Sequence, residues 1–260
     1  MSGNLVSATL RRGLFTRVVG KRFLFFQEVT STMDEGARQA EAGADEGTVV
    51  IAESQTAGRG RQGRNWVSSE GNLYLSVLFR PTLEALPMIS ILAGVAIVRA
   101  VRTCTGSDPR IKWPNDVMLG GKKFGGILVE SVVQGNQVAY AVLGIGINIG
   151  LDIETLADIR EFTTSLNMAA GQPVSREDVL RQLLHNLDGL YQQVMQGEPV
   201  LPEWRSMLET LGQRVWARGN SASYTGLAEG VDELGNLQLR LDGGQMVTLT
   251  AGDVSLSKDG

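Results

Sequence analysis

The sequence predicts an α+β fold: a mixed, largely antiparallel sheet flanked by helices, followed by a small C-terminal β-barrel. Three observations lead there. "FGGILVESVV" and "QVAYAVLGIGIN" are long strand-like runs meeting at Gly135-Asn136, a hairpin signal that favours antiparallel pairing. Strand and helix patterns follow one another through the first 211 residues. After that the composition shifts to short strands punctuated by Gly and Asp, a unit small enough to need support from the rest. Two domains are therefore expected, residues 1–211 and 212–260.

The elements follow in order. "FLFFQEV" (23–29) reads as an aromatic-rich strand. In "STMDEGARQAEAG" Thr32 and Glu35 are spaced as a capping box, so a helix is expected to start there and stop near Gly43. "GTVVIAES" (47–54) and "NLYLSVLF" (72–79) are strands on either side of a loop rich in Arg and Gly. "LPMISILAGVAIVRAVR" (86–102) is apolar nearly all round, as suits a helix buried against a sheet. "RIKW" (110–113) is a short strand ending at the turn "PNDV". Beyond the hairpin, 175–197 is an amphipathic helix with Ser175 as N-cap and a stripe of Val179, Leu183, Leu187, Leu190, Tyr191 and Val194. A short helix over "PEWRSMLETL" is expected to end at Gly212.

Composition narrows the chemistry. The formal net charge is −4, whereas a protein devoted to the phosphate backbone usually carries a domain-wide basic excess. Cys104 is the only cysteine, so neither an internal disulfide nor a cysteine metal cluster is available. His185 is the only histidine and falls off the apolar stripe, which removes the base of a Ser-His-Asp triad. No signal peptide is evident, and no window reaches the ~18 apolar residues of a membrane span. A cytoplasmic location is expected.

Three features could carry function. In "AGRGRQGRNW" (57–66), Gly58, Gly60 and Gly63 allow close backbone approach, and Arg59, Arg61 and Arg64 are forks for carboxylate or phosphate. The same stretch would also serve as a solvated basic loop or an RNA contact. Lys123 precedes Gly125-Gly126 at the start of a strand, a lysine beside a gap; a hairpin turn with surface lysines is the plainer alternative. In "VLGIGINIG", alternation puts Leu143, Ile145, Ile147 and Ile149 on one face and Gly144, Gly146 and Asn148 on the other. That second face suits a flat ring with an amide at its edge, or a closely crossing helix. Neither glycine motif opens a helix after a strand, as a Walker loop or dinucleotide fingerprint would. Together the features describe a pocket for a small molecule with a carboxylate or phosphate near its middle.

"STMD", "ESQTAGRGRQGRNW", "KWPNDV", "KKFGGILVE" and "GIGINI" occur in an order and spacing that resemble biotin–protein ligases, over roughly residues 23–257. The resemblance implies a catalytic domain like that of class II aminoacyl-tRNA synthetases and an SH3-like C-terminal domain. It implies ATP-dependent formation of biotinyl-5′-AMP, then transfer of biotin to a lysine of a biotin carboxyl carrier protein. Lys123 and Arg61 would be catalytic. Ser31, Thr32, Met33, Gln55, Arg59, Gly60 and Gly126 would join them around biotin, although some relatives have asparagine at the place of Met33. Arg64, Trp66, Asn115 and Asn148 would serve ATP with Arg61. Mg²⁺ is expected with ATP, without identified protein ligands; Asp116 is a candidate for the metal or for its own turn. The loop is expected to close over the reactive adenylate and exclude water. The stretch before the first strand looks too short for a winged helix-turn-helix, so no DNA contact and no membrane contact are expected, and a homodimer is possible on this reading. A lipoate–protein ligase and a non-catalytic nucleic-acid-binding module are the alternatives.

Overall fold

Strand β1 (Arg22–Val29) runs parallel to β2 (Thr48–Gln55), and helix α1 (Thr32–Glu41) connects them. The computed structural model describes residues 13–153, 156, 158–219, 222–250 and 252–256. The sheet continues through β3 (Leu73–Phe79), β4 (Arg110–Lys112), β5 (Asp116–Leu119), β6 (Lys122–Gln134) and β7 (Gln137–Ile147). Its spatial order is β1-β2-β3-β7-β6-β5-β4, antiparallel everywhere except between β1 and β2. A mixed, largely antiparallel sheet is what the hairpin signal required. β5 is an addition to the sequence reading, which treated that stretch as a turn.

Helix α2 (Met88–Thr105) packs against the sheet and against α4 (Arg176–Met195); α3 (Leu166–Ala170) and α5 (Leu201–Met207) complete the helices. Leu92, Val95 and Ile97 meet a core that includes Leu183, Leu184 and Leu187, all fully buried. Each such side chain contributes about 1.5–3 kcal/mol of transfer free energy. At 18 residues with mean hydropathy 1.6, α2 is long and apolar enough to cross a membrane, which corrects the sequence estimate. Here it is a core helix, and the apolar face all round is explained by burial between two layers.

Two boundaries differ from the sequence reading. The N-cap of α1 is Ser31, whose Oγ accepts from the Met33 backbone N–H, so Thr32 and Glu35 form no capping box. Glu35 instead binds Arg38 one turn on, and the Thr32 hydroxyl points to Gln55. Helix α5 stops at Met207 because the next residues turn to the sheet: Leu208 bridges Ile111, and the Glu209 N–H donates to the Ile111 carbonyl.

The chain then enters a five-stranded antiparallel sheet, ordered β11-β10-β9-β8-β12. Its strands are β8 (Arg214–Arg218), β9 (Ser223–Val231), β10 (Leu237–Leu241), β11 (Met246–Leu249) and β12 (Asp253–Leu256). The buried Trp113 ties this unit to the larger sheet, its indole N–H donating to the Gly235 carbonyl at 2.9 Å. The N-terminal segment is also pinned. The backbone N–H groups of Arg17, Val18 and Val19 converge on the buried carboxylate of Asp188 in α4.

Candidate active site

A cavity of about 380 Å³ opens between the N-terminus of α1, the Arg-Gly loop, strands β6 and β7, and the edge of the C-terminal sheet. Its wall includes Ser31, Thr32, Met33, Gln55, Arg59, Gly60, Arg61, Arg64, Trp66, Asn115, Lys123 and Gly126. Of the residues expected around biotin and ATP, Asn148 alone is outside that wall; Gly58, Gly63 and Gly125 of the glycine-rich stretches also lie outside it.

One corner is a polar cluster made by the start of α1 and the end of β2. Gln55 Oε1 accepts from the Thr32 backbone N–H at 2.8 Å and from its hydroxyl at 3.2 Å, and Gln55 Nε2 donates to Ser68 at 2.8 Å. Ser76 donates to the Thr32 hydroxyl from the neighbouring strand. These bonds fix the side chains in place before anything enters. The Ser31 hydroxyl, accepting from Met33, still has its own proton to donate.

The Arg-Gly loop folds back on itself. Arg59 bridges Asn65, the Gly60 N–H donates to the Arg64 carbonyl, and Gln62 takes a left-handed conformation (φ 56°) at the tip. Each arginine has a different neighbour. Arg59 spans Asp34 (2.9 Å) and Glu130 (3.0 Å), reaching from α1 to β6. Arg64 pairs with Asp253 of the C-terminal sheet. Arg61 donates to two neutral oxygens, Asn115 Oδ1 at 3.2 Å and the Gly252 carbonyl at 3.1 Å. Burial lowers the pKa of its guanidinium, with Asp116 opposing that shift and Arg64 adding to it. An arginine held by neutral acceptors keeps its charge available for an anion.

Lys123 faces the cavity from β6, its Nζ 2.6 Å from Asp116 Oδ1 and 5.2 Å from the centre of the Trp66 ring. Plain alternation would put Lys123 and Gly126 on opposite faces of the strand. A bulge resolves this: Gly125 pairs with Val117 but Lys123 with Met118, leaving Phe124 as the extra residue. Phe124 turns into the core, and both Lys123 and Gly126 reach the cavity. Outside β5, the Lys123 backbone is held by the Phe162 carbonyl and the Thr164 N–H.

The glycine face of β7 is where alternation placed it, and it is covered by side chains. A methyl group on Gly146 or Gly126 would lie 2.6 or 2.9 Å from the Trp66 indole. Asn148, just past β7, is 3 % exposed and sits behind the wall. Its Nδ2 donates to the Thr164 carbonyl at 3.3 Å, which leaves Oδ1 buried without a hydrogen-bond partner among the described residues. Trp66 Nε1 is in the same condition. Buried polar atoms of this kind are costly, and a water, ion or ligand that pairs with them relieves the cost.

Sequence reasoning missed Lys112, Trp216, Arg218 and Asp253, all of which line the cavity. The last three belong to β8 and β12, more than 130 positions beyond the loop they face. A faint signal existed for Trp216, a large aromatic on the outward side of an alternating strand.

Comparison with known proteins covers most of the chain. The profile of the biotin/lipoate A/B protein ligase family matches residues 24–148, and that of the biotin protein ligase C-terminal domain matches residues 210–257. The chain is 35% identical over 248 residues to the bifunctional ligase/repressor BirA of Bacillus subtilis, covering 93% of this chain and 76% of that protein. It is 34% identical over 234 residues to the biotin–[acetyl-CoA-carboxylase] ligase of Mycobacterium tuberculosis, covering 86% and 85%. Its fold is similar to the biotin protein ligase of Aquifex aeolicus solved with biotin and ATP, with TM-score 0.78, 30% identity, and 91% and 99% of the two chains covered.

Proposed function

The chain belongs to the biotin protein ligase family, and from the cavity we infer that Lys123 and Arg61 carry the chemistry of ATP-dependent biotin transfer to a carrier protein. The observation that carries the assignment of residues is the convergence of one cavity on three parts. These are a preformed corner of Ser31, Thr32 and Gln55, an ammonium at Lys123, and an arginine whose partners are neutral.

In the first half-reaction a biotin carboxylate oxygen attacks the α-phosphorus of ATP, the bond to the β-phosphate oxygen breaks, and pyrophosphate leaves. Two anions must approach each other, so the need is for fixed positive charge. Lys123 offsets the repulsion and stabilises the charge that grows on the bridging and α-phosphate oxygens. Arg61 holds the same region from the opposite wall, and Gly60 brings the loop backbone close. The hydroxyl and amide corner takes the ureido edge of biotin, which offers N–H donors and a carbonyl acceptor. A dithiolane offers neither, which disfavours lipoate as the substrate. Trp66 is the flat wall beside the nucleotide, and Asn148 Oδ1, buried behind that wall and without a partner among the described residues, is the proposed acceptor for the adenine amino group.

Among the described residues no group of three or more His, Cys, Asp or Glu could hold a metal ion. The cavity therefore suits Mg²⁺ that arrives on the phosphates, with Asp116 and Asp253 as carboxylates of its wall. When bound it would shield phosphate charge.

In the second half-reaction the amine of a carrier lysine attacks the anhydride carbonyl and AMP leaves. The carrier is a biotin carboxyl carrier protein; the subunit of acetyl-CoA carboxylase is the proposed one, in line with the M. tuberculosis relative. Biotin-dependent exchange of labelled pyrophosphate into ATP tests the reading. The wild type should exchange with biotin and not with lipoate, and Lys123→Ala should lose about 10²–10³ in rate. No exchange by the wild type with either acid would refute it.

A further inference from the structure

The third glycine of the β6–β7 wall has a different occupant from the other two. Gly126 and Gly146 seat Trp66, whereas Gly144 seats Met33. A methyl group on Gly144 would press on the Met33 thioether sulfur and stand 3.0 Å from its Cγ. Met33 is 3 % exposed, lines the cavity, and belongs to an apolar cluster with Leu78 and Val142, against which Leu128 packs. It follows Ser31 and Thr32 directly, so it adjoins the polar corner without contributing a hydrogen-bonding side chain.

We propose that Met33, seated on Gly144, is the residue that fixes the size and polarity of the space for the sulfur-containing ring of biotin; this rests on the biotin reading above. Biotin is a ureido ring fused to a thiolane. The ureido edge needs donors and acceptors, which Ser31, Thr32 and Gln55 provide. The fused thiolane has only soft, apolar surface to offer, and a thioether is its match in size and polarisability. Gly144, having no Cβ, leaves the place in the wall that the unbranched side chain takes. The glycine is thus a specificity element acting through Met33, with no contact to substrate needed.

The test is a double-mutant cycle on the full chain, read by calorimetric binding of biotin, of biotin sulfone (two extra oxygens on the ring sulfur), and of ATP. Gly144→Ala should push the thioether into the cavity and weaken biotin about tenfold or more, as overpacking of a fixed wall does. Adding Met33→Ala to it should recover biotin binding to within about threefold of Met33→Ala alone, because the clash is gone. Met33→Ala by itself should narrow the preference for biotin over its sulfone by about tenfold. ATP binding should stay within about twofold throughout, which shows that the variants are folded.

Unchanged biotin affinity in Gly144→Ala overturns the proposal. So does a double variant as weak as Gly144→Ala. If Gly144→Ala fails to fold, the sulfone preference of Met33→Ala decides alone, and an unchanged preference overturns the proposal. A wild type that binds no biotin would instead refute the underlying functional reading.

Discussion

Lys123 and Asp116 face each other at 2.6 Å across the bulge in β6, so the ammonium is aimed by a carboxylate on the neighbouring strand. The pair is partly exposed, and its value is positional. Asp116→Asn should keep the fold and lower the pyrophosphate-exchange rate by about tenfold, roughly 1.4 kcal/mol in the barrier. Lys123→Ala should lose considerably more. Steady-state exchange with both variants checks this, and equal losses would mean that Asp116 has a role of its own beyond aiming the lysine.

Arg64 and Asp253 join the loop to the C-terminal sheet through an exposed ion pair. Pairs of this kind contribute about 0–1 kcal/mol to stability. Asp253→Ala should therefore move the Tm by no more than a few degrees. Its effect should appear as faster proteolysis within residues 58–64. Saturating biotin and ATP should slow that cleavage in the wild type, as closure over the adenylate requires. Cleavage at one rate in all cases would argue against a loop that closes.

Asn148 presents a buried carbonyl oxygen because Thr164 takes its N–H. A ligand that donates there regains about 1–3 kcal/mol. Asn148→Ala is expected to raise the KM for ATP and to leave that for purine riboside triphosphate, which lacks the amino group, nearly unchanged. If both rise together, Asn148 acts only on the fold.

Glu209 is half-buried where the chain leaves α5 to meet β4. Burial holds its pKa above the ordinary carboxylate value, while Lys112 and Arg110 pull it down. The folded state thus binds the proton more tightly than the unfolded state. The stability this gives is complete below the ordinary glutamate pKa and is lost as pH rises through the raised folded value. Glu209→Gln should raise the Tm at pH 7 and lose that advantage at the acid end. A pH-independent difference would remove the assignment.

Gly146 and the Trp66 indole are in such close contact that no side chain fits between them. Gly146→Ala should displace the indole, change the tryptophan emission, and weaken ATP by about tenfold or more. Unaltered emission would show that the wall can yield.

By itself the sequence determined the order of strands and helices apart from β5 and α3, the hairpin of β6 and β7, and the side of β7 that lacks side chains. These follow from periods of 2 and 3.6 residues and from turn chemistry, which act over a few positions. It also placed the Arg-Gly loop between two strands, and resemblance gave the loop a role.

Tertiary structure decided the rest. The glycine face is a seat for Trp66 and Met33, and Lys123 shares a wall with Gly126 only through a bulge whose register depends on β5. Trp216, Arg218 and Asp253 reach the cavity because the C-terminal sheet docks there through Trp113 and Gly235. The capping residue of α1 likewise changed because Gln55, from another strand, took the Thr32 hydroxyl. Contacts between distant segments are set by pairing, packing and competition for hydrogen bonds, and no local period records them.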